Sequence, residues 1–337
     1  MLPEKRKSLI ILIISIIAII LVIIIMYNFA KFMRGAGETE EKVFDDPYPN
    51  TYTYYGFITD EDGNYQLMGL DSEFNETLLG LRSFYNMSNL YYYNNHLVMY
   101  SDAINQINYN ATEENYFLYE LNPFYSNATD VLITPAYYVF YTEDTLEYCP
   151  SADCNRAVIT DSLLKPEVFS IDNKVFYQLQ DGVYEFDLET LESRRIVLNE
   201  THEITLLTVS GKYLVFIVDD IYWVYNSSSK VATSLEDRIP EEDYTFISLQ
   251  NDYFIYQIIG ENGNYNLKKY SLRINSPLKT NYDIGKEEIT NSIVIADNLL
   301  YAELVGEDTL RYVIIDIDEQ KVVKELENSY TVLIGVE

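Results

Sequence analysis

From Thr51 onward the apolar residues fall in short runs rich in Tyr, Ile, Val and Phe, broken by Asn, Asp and Gly, with no sustained 3.6-residue periodicity. Such a pattern predicts strands. A hydrophobic run ending in an aromatic recurs at Phe57, Tyr100, Tyr141, Tyr177, Phe216, Tyr256 and Tyr301, at intervals of 43, 41, 36, 39, 40 and 45 residues. A turn such as Asp62-Gly63-Asn64, Asp181-Gly182 or Asn262-Gly263-Asn264 follows it, as a tight hairpin requires. Next comes an alternating triplet: Tyr184, Phe186 and Leu188 in one repeat, Phe117, Tyr119 and Leu121 in another, Val313, Ile315 and Ile317 in the last. Alternation marks a strand with one buried face. Another short strand precedes the aromatic run, as at 168–171, 206–209, 246–249 and 292–296, and a fourth closes the repeat, as at 195–198.

A period near 40 in an all-β chain is the length of one four-stranded propeller blade, which must stack on its neighbours to bury both faces. Seven repeats predict a seven-bladed β-propeller spanning 51–337. With the strands of a repeat lettered a to d, the first repeat lacks strand a, whereas 330–336 resembles a strand a with nothing after it. The ends complement each other: joined in one blade they close the ring and remove two open sheet edges.

Elements such as Asp172-Asn173-Lys174-Val175-Phe176-Tyr177 and Val183-Tyr184-Glu185-Phe186-Asp187-Leu188 resemble the repeats of the YWTD, or low-density-lipoprotein-receptor, type of propeller and its uncharacterised microbial relatives. The resemblance covers the repeat region. The four-letter signature is absent, since Tyr222-Trp223 lies on strand c, and those receptor propellers have six blades. The resemblance implies the architecture and an extracellular binding role, and transfers no site residue.

The N-terminus changes the picture. Residues 9–27 carry no charge and one hydroxyl, Ser15, so at about 1.5 Å per residue a helix there crosses roughly 28 Å of hydrocarbon. Lys5, Arg6 and Lys7 precede it and Lys31 and Arg34 follow, which predicts an uncleaved signal anchor with 1–8 in the cytoplasm. A stalk at 28–50, with Gly35, Gly37, Pro47 and Pro49, would carry the propeller outside the cell membrane as a single-pass ectodomain. The formal charge is −30, and because residues 1–37 carry a net +4 the rest is more acidic still. Such a surface repels nucleic acid and anionic lipid, and suits cationic partners, bound cations or plain solubility.

Little in the chain points to chemistry. No nucleophile elbow, zinc-protease helix, phosphate loop or dinucleotide fingerprint is present. Asp60-Glu61-Asp62-Gly63-Asn64 superficially resembles part of a calcium loop but lacks the later ligands, and reads as a hairpin turn. His96 and His202 lie in different repeats with no nucleophile beside them. Cys149 and Cys154, with four residues between them, form a candidate disulfide clipping the c–d hairpin of the third blade. Asn-x-Ser/Thr sequons at Asn75, Asn86, Asn110, Asn127, Asn199 and Asn226 are candidate glycosylation sites.

Tyrosine is the unusual residue, 33 of 337; its rigid ring and polar tip suit both pleated strands and recognition of protein or glycan. The segment 101–115 reads as the longest b–c loop, flanked by Tyr109 and Tyr116, which with Trp223 are the candidate binding residues. The expected function is therefore a membrane-anchored binding or scaffolding module, with no cofactor, no metal and no catalysis, recognising a protein or glycan through its loops. The alternative is a glycosidase-like enzyme using carboxylates at the channel mouth.

Overall fold

The computed structural model describes residues 52–79, 90–93, 96–100, 104–110, 115–122, 128–151, 155–198, 203–236, 238–240, 243–296 and 298–336. Side chains in parts of the second blade lie outside that description.

Blade 1 holds β1 (Tyr54–Thr59), β2 (Tyr65–Leu70) and β3 (Glu76–Leu78). Blade 2 holds β4 (Leu90–Tyr93), β5 (His96–Tyr100), β6 (Ile104–Asn110) and β7 (Asn115–Asn122). Blade 3 is β8 (Asp130–Ile133), β9 (Tyr137–Tyr141), β10 (Leu146–Pro150) and β11 (Ala157–Thr160). Blade 4 is β12 (Phe169–Ile171), β13 (Lys174–Leu179), β14 (Gly182–Asp187) and β15 (Glu192–Leu198). Blade 5 is β16 (Ile204–Ser210), β17 (Tyr213–Val218), β18 (Ile221–Asn226) and β19 (Val231–Ser234). Blade 6 is β20 (Thr245–Gln250), β21 (Tyr253–Ile259), β22 (Tyr265–Ser271) and β23 (Ser276–Gly285). Blade 7 is β24 (Glu288–Ala296), β25 (Leu299–Val305), β26 (Leu310–Asp316) and β27 (Lys321–Leu326), after which β28 (Tyr330–Gly335) returns to blade 1. Every sheet has four antiparallel strands, that of blade 1 in the order β28-β1-β2-β3. The fold is an all-β, seven-bladed propeller.

All seven recurring aromatics fall on the second strand of their sheet, and all are buried. The b strands are contiguous apolar runs because both of their faces are covered. In β13, Val175 and Tyr177 pack with Leu132, Val139 and Tyr141 of blade 3, while the intervening Phe176 packs with Leu206, Leu214 and Phe216 of blade 5. Each hydrophobic cluster spans two adjacent blades, and the set runs once round the ring, ending where Tyr54, Met68 and Leu70 of blade 1 meet Ile295, Tyr301 and Ile314 of blade 7.

Closure of the ring has its own chemistry. β28 pairs along β1 from Tyr54 opposite Gly335 to Ile58 opposite Tyr330. The Tyr330 hydroxyl donates to Glu76 of β3 at 2.8 Å, its amide donates to the Tyr301 hydroxyl at 3.0 Å, and the Tyr301 hydroxyl donates to Glu303 at 3.1 Å. Glu76 also accepts from the Glu327 amide at 2.8 Å, which ties blade 7 to the outer strand of blade 1. Gly56 allows this packing, because a Cβ there would lie 2.6 Å from the Tyr330 ring.

Buried charges latch neighbouring blades at one recurring place. Glu185 on β14 and Lys269 on β22 occupy equivalent positions, opposite Phe176 and Ile255, the residues just before the recurring aromatics. Glu185 accepts from the Tyr225 hydroxyl at 2.8 Å and pairs with Lys230, both in the following blade. Lys269, with 2% side-chain exposure, pairs at 2.5 Å with Asp318 of the following blade and lies 5.0 Å from the Tyr253 ring centroid. The polarity is inverted between the two latches. Deleting one partner of a buried pair costs more than replacing the buried charge by a hydrocarbon. Asp318→Ala should therefore destabilise by about 2 kcal/mol, discounted because Asp318 itself faces water. Lys269→Met should come closer to wild type, and urea denaturation of both variants checks the order.

Several expectations are corrected. The described residues form strands and turns, their apolar side chains are taken up between blades, and none of them forms a helix long and apolar enough to cross a membrane. The expected span 9–27, with its cytoplasmic tail and stalk, lies outside the described residues. The transmembrane helix, the signal anchor, the membrane as partner and the single-pass localisation are accordingly withdrawn. The loop read at 101–115 is also wrong, since β6 runs through its middle and Asn115 opens β7. Phe117, Tyr119 and Leu121 thus sit on strand d, not c. The sequence of β6, Ile-Asn-Gln-Ile-Asn-Tyr-Asn, is too polar to read as a strand. Cys149 is fully buried on β10 and carries no free thiol, while its expected disulfide partner Cys154 lies outside the described residues.

Candidate binding face

Repetition of one four-stranded unit around the ring sends all b–c hairpins to one end, and the a–b and c–d turns to the other. The described b–c hairpins are acidic without exception. They carry Asp60, Glu61 and Asp62 in blade 1, Glu143 and Asp144 in blade 3, and Asp181 in blade 4. The series continues with Asp219 and Asp220 in blade 5, Glu261 in blade 6, and Glu307 and Asp308 in blade 7. No Lys or Arg stands in any of these hairpins, and all of these acids except Asp60 are exposed.

Local rules hold the hairpins in place. The Asp60 amide donates to the Asn64 carbonyl at 2.9 Å and the Gly63 amide to the Asp60 carbonyl at 3.0 Å, and blade 6 repeats both bonds through Gly260, Asn264 and Gly263. Gly63 and Gly263 take φ of 82° and 71°, a region glycine enters without steric cost. The Asp60 carboxylate accepts from the amides of Asn64 at 2.8 Å and Asp62 at 3.0 Å and from the Gln66 side chain at 3.1 Å. The backbone bond from Asn64 is the main reason its carboxyl sits below the usual range. A carboxylate engaged by its own turn is a hairpin element.

Several cations that reach this end are already engaged. Arg195 pairs with Asp181 at 3.0 Å and Arg311 pairs with Glu287, whose carboxyl is held below its ordinary value chiefly by that bond. Lys286 donates to the carbonyls of Asn262 and Gly263, and Lys165 to that of Ile204, each at 3.0 Å. The opposite end is mixed, with Asp172, Glu189, Asp252, Asp318 and Glu319 beside Lys212, Lys230 and Arg273.

Along the axis, β16, β20 and β24 line a channel pocket of about 430 Å³. Register shifts between Leu206 and Thr208, and between Phe246 and Ser248, mark bulges on its wall. The hydroxyls of Thr208, Ser210, Ser248 and Ser292 alternate there with Leu207, Phe246, Ile247 and Ile293. Ser292 donates to the Ile247 carbonyl at 2.7 Å. No carboxylate lines this pocket, so it lends no support to a glycosidase-like pair at the channel mouth.

Other expected site residues are scattered. Tyr109 and Tyr116 are register partners on β6 and β7, next to the c–d turn and so away from the acidic end. Trp223 is half-buried on β18, stacked on Phe216 with centroids 6.4 Å apart and planes at 18°, where it packs the blade interface. Asn75 is exposed, donating to Asp71 at 2.8 Å and accepting from Lys324 at 3.0 Å. The Asn226 carbonyl oxygen accepts from the amides of Ser228 at 2.9 Å and Ser229 at 3.0 Å, capping the c–d turn. Asn110 ends β6 and His96 opens β5; Asn86, Asn127, Asn199 and His202 lie outside the described residues. Sequence reading missed the acidic end, although its signal, an acid between strands b and c of each described repeat, was present.

The class of protein is thus a seven-bladed propeller with one strongly acidic end. No family model matches the chain, and no curated protein matches it. Among solved structures it is similar to puromycin hydrolase, with TM-score 0.54 and 10% identity over 83% of this chain and 53% of that one. It is also similar to the dihydro-heme d1 dehydrogenase NirN in complex with DHE, with TM-score 0.51 and 12% identity over 84% of this chain and 64% of that one. The chain therefore spans between half and two thirds of the length of these structures. At such identities the likeness concerns the fold, and nothing in it singles out the YWTD type among propellers.

Proposed function

We propose that this propeller is a binding module, not a catalyst, and that its b–c end receives a basic protein surface. The observation that carries the proposal is the acidity of every described b–c hairpin on a rigid ring, against the mixed charge of the opposite end. Loops on a stiff scaffold are where recognition resides. A field of one sign steers an oppositely charged partner, raising the association rate and making it sensitive to salt. The extracellular binding role implied by the YWTD resemblance agrees with this reading.

Zero-length carbodiimide cross-linking of the full-length protein to a lysine-rich protein such as cytochrome c tests it. Cross-links should concentrate on Glu61, Asp62, Glu143, Asp144, Glu307 and Asp308, and should fade as salt shortens the screening length to roughly 8 Å. Cross-links spread evenly over both ends would contradict the proposal.

A further inference from the structure

A second pocket lies at the outer edge of the interface between blades 5 and 6, beside the c–d turns of both blades. Its volume is about 230 Å³. That space equals roughly seven or eight waters, enough for a compact molecule of about a dozen non-hydrogen atoms. Its wall is rich in donors. The Asn226 carbonyl oxygen is taken by the Ser228 and Ser229 amides, and the Asn275 oxygen accepts from the Tyr270 hydroxyl at 2.6 Å. The Asn275 carboxamide therefore offers N–H groups, while that of Asn226 also faces the Tyr213 hydroxyl. Ser229 and Thr233 add hydroxyls, while Val224 and Leu272 supply apolar wall.

Arg238 is the charged residue of this lining. Its side chain makes no ion pair or hydrogen bond among the described residues, although the chain carries a formal charge of −30. By contrast Arg156, Arg195 and Arg311 are each paired with a carboxylate. Arg273, next to Leu272, adds positive potential at the Tyr213 hydroxyl. The nearby carboxylate, Asp252, already faces Lys212 at 3.8 Å and the Tyr213 hydroxyl, whose pKa is raised by burial first and by Asp252 second. Glu236, on the same loop as Arg238, acts on the Tyr244 hydroxyl.

We infer that this pocket binds a small hydroxylated carboxylate of hexuronate size. The carboxylate would take the planar fork of Arg238, and the ring oxygens would accept from Asn275, Ser229 and Thr233. A glycan on Asn226 would fill the same space, so occupancy of the pocket and modification of that sequon exclude one another.

The test is titration of full-length protein, produced without N-glycosylation, with D-glucuronate, D-glucose and sulfate, read by saturation-transfer NMR and calorimetry. Glucuronate should bind with one-to-one stoichiometry, and glucose and sulfate should each bind at least about tenfold more weakly. Arg238→Gln should weaken glucuronate by about tenfold or more while leaving the melting temperature unchanged, because the side chain is exposed and makes no bond among the described residues. Asn275→Ala should weaken it by a smaller factor. Absence of glucuronate binding, equal affinity in wild type and Arg238→Gln, or sulfate binding as tightly as glucuronate would overturn the assignment.

Discussion

Removal of residues 330–337 is expected to unfold the propeller as a whole. The deletion takes away β28, and with it the inner partner of β1, the buried Tyr330 and Leu333, and the hydrogen bonds joining Glu76, Tyr330 and Tyr301. Loss of one large buried side chain costs about 2–5 kcal/mol, and two such losses together with an opened sheet edge match the entire stability of an ordinary domain. Milder variants grade the effect. Tyr330→Phe, which removes only the hydroxyl from Glu76, should cost about 1–3 kcal/mol, and Tyr330→Ala about 4. Circular dichroism melts should show one cooperative transition shifted in that order, with the deletion unfolded at room temperature. A deletion variant that melts like the intact protein would mean that the ring does not depend on this strand.

The second large effect is alkaline. Burial raises the hydroxyl pKa of Tyr141, Tyr225, Tyr301 and Tyr330, and it pushes that of Tyr244 up to about 12. A carboxylate next to each of the first four adds repulsion: Asp130 beside Tyr141, Glu185 beside Tyr225, Glu303 beside Tyr301 and Glu76 beside Tyr330. In the unfolded chain these phenols titrate near 10, while in the folded protein they keep their protons. Above pH 10 the folded state therefore binds more protons, and stability falls as pH rises towards the folded pKa values. Each such tyrosine contributes a slope of about 1.4 kcal/mol per pH unit, so Tyr141, Tyr301 and Tyr330 together give about 4. Denaturant midpoints measured from pH 9 to 12 should collapse, and Tyr330→Phe should reduce the slope by about a quarter to a third. A midpoint that stays flat to pH 12 would contradict the burial of these hydroxyls.

The architecture was readable because every b strand is covered on both faces and so carries a contiguous apolar run ending in an aromatic. The same logic fails for β6, where Ile104 and Ile107 are buried but polar residues stand between them, including the buried Asn105. A strand this polar reads as a loop. A local signature also went unused. Asp187, Asn226 and Asp316 each end strand c and accept two amides from the following turn, whose fifth residue is left-handed: Leu191 at φ 59°, Lys230 at 61° and Gln320 at 54°. That spacing marks the c–d turn independently of hydrophobicity, since Asx side chains cap such turns. The pocket around Arg238 was beyond sequence reading for a simpler reason, since its wall comes from segments of two blades that meet only in the fold.

The central claim is that recognition belongs to the acidic b–c end. It is tested most directly by comparing three full-length proteins: wild type, a b–c variant with Glu61, Asp62, Glu143, Asp144, Glu307 and Asp308 changed to Gln or Asn, and a control. In the control, Asp172, Glu189 and Glu319 at the other end are changed in the same way. Association rates with cytochrome c, measured over a range of salt, should fall by about tenfold or more in the b–c variant, with a flattened salt dependence. The control should change far less. Equal losses in the two variants, or an unaltered salt slope in the b–c variant, would contradict the account.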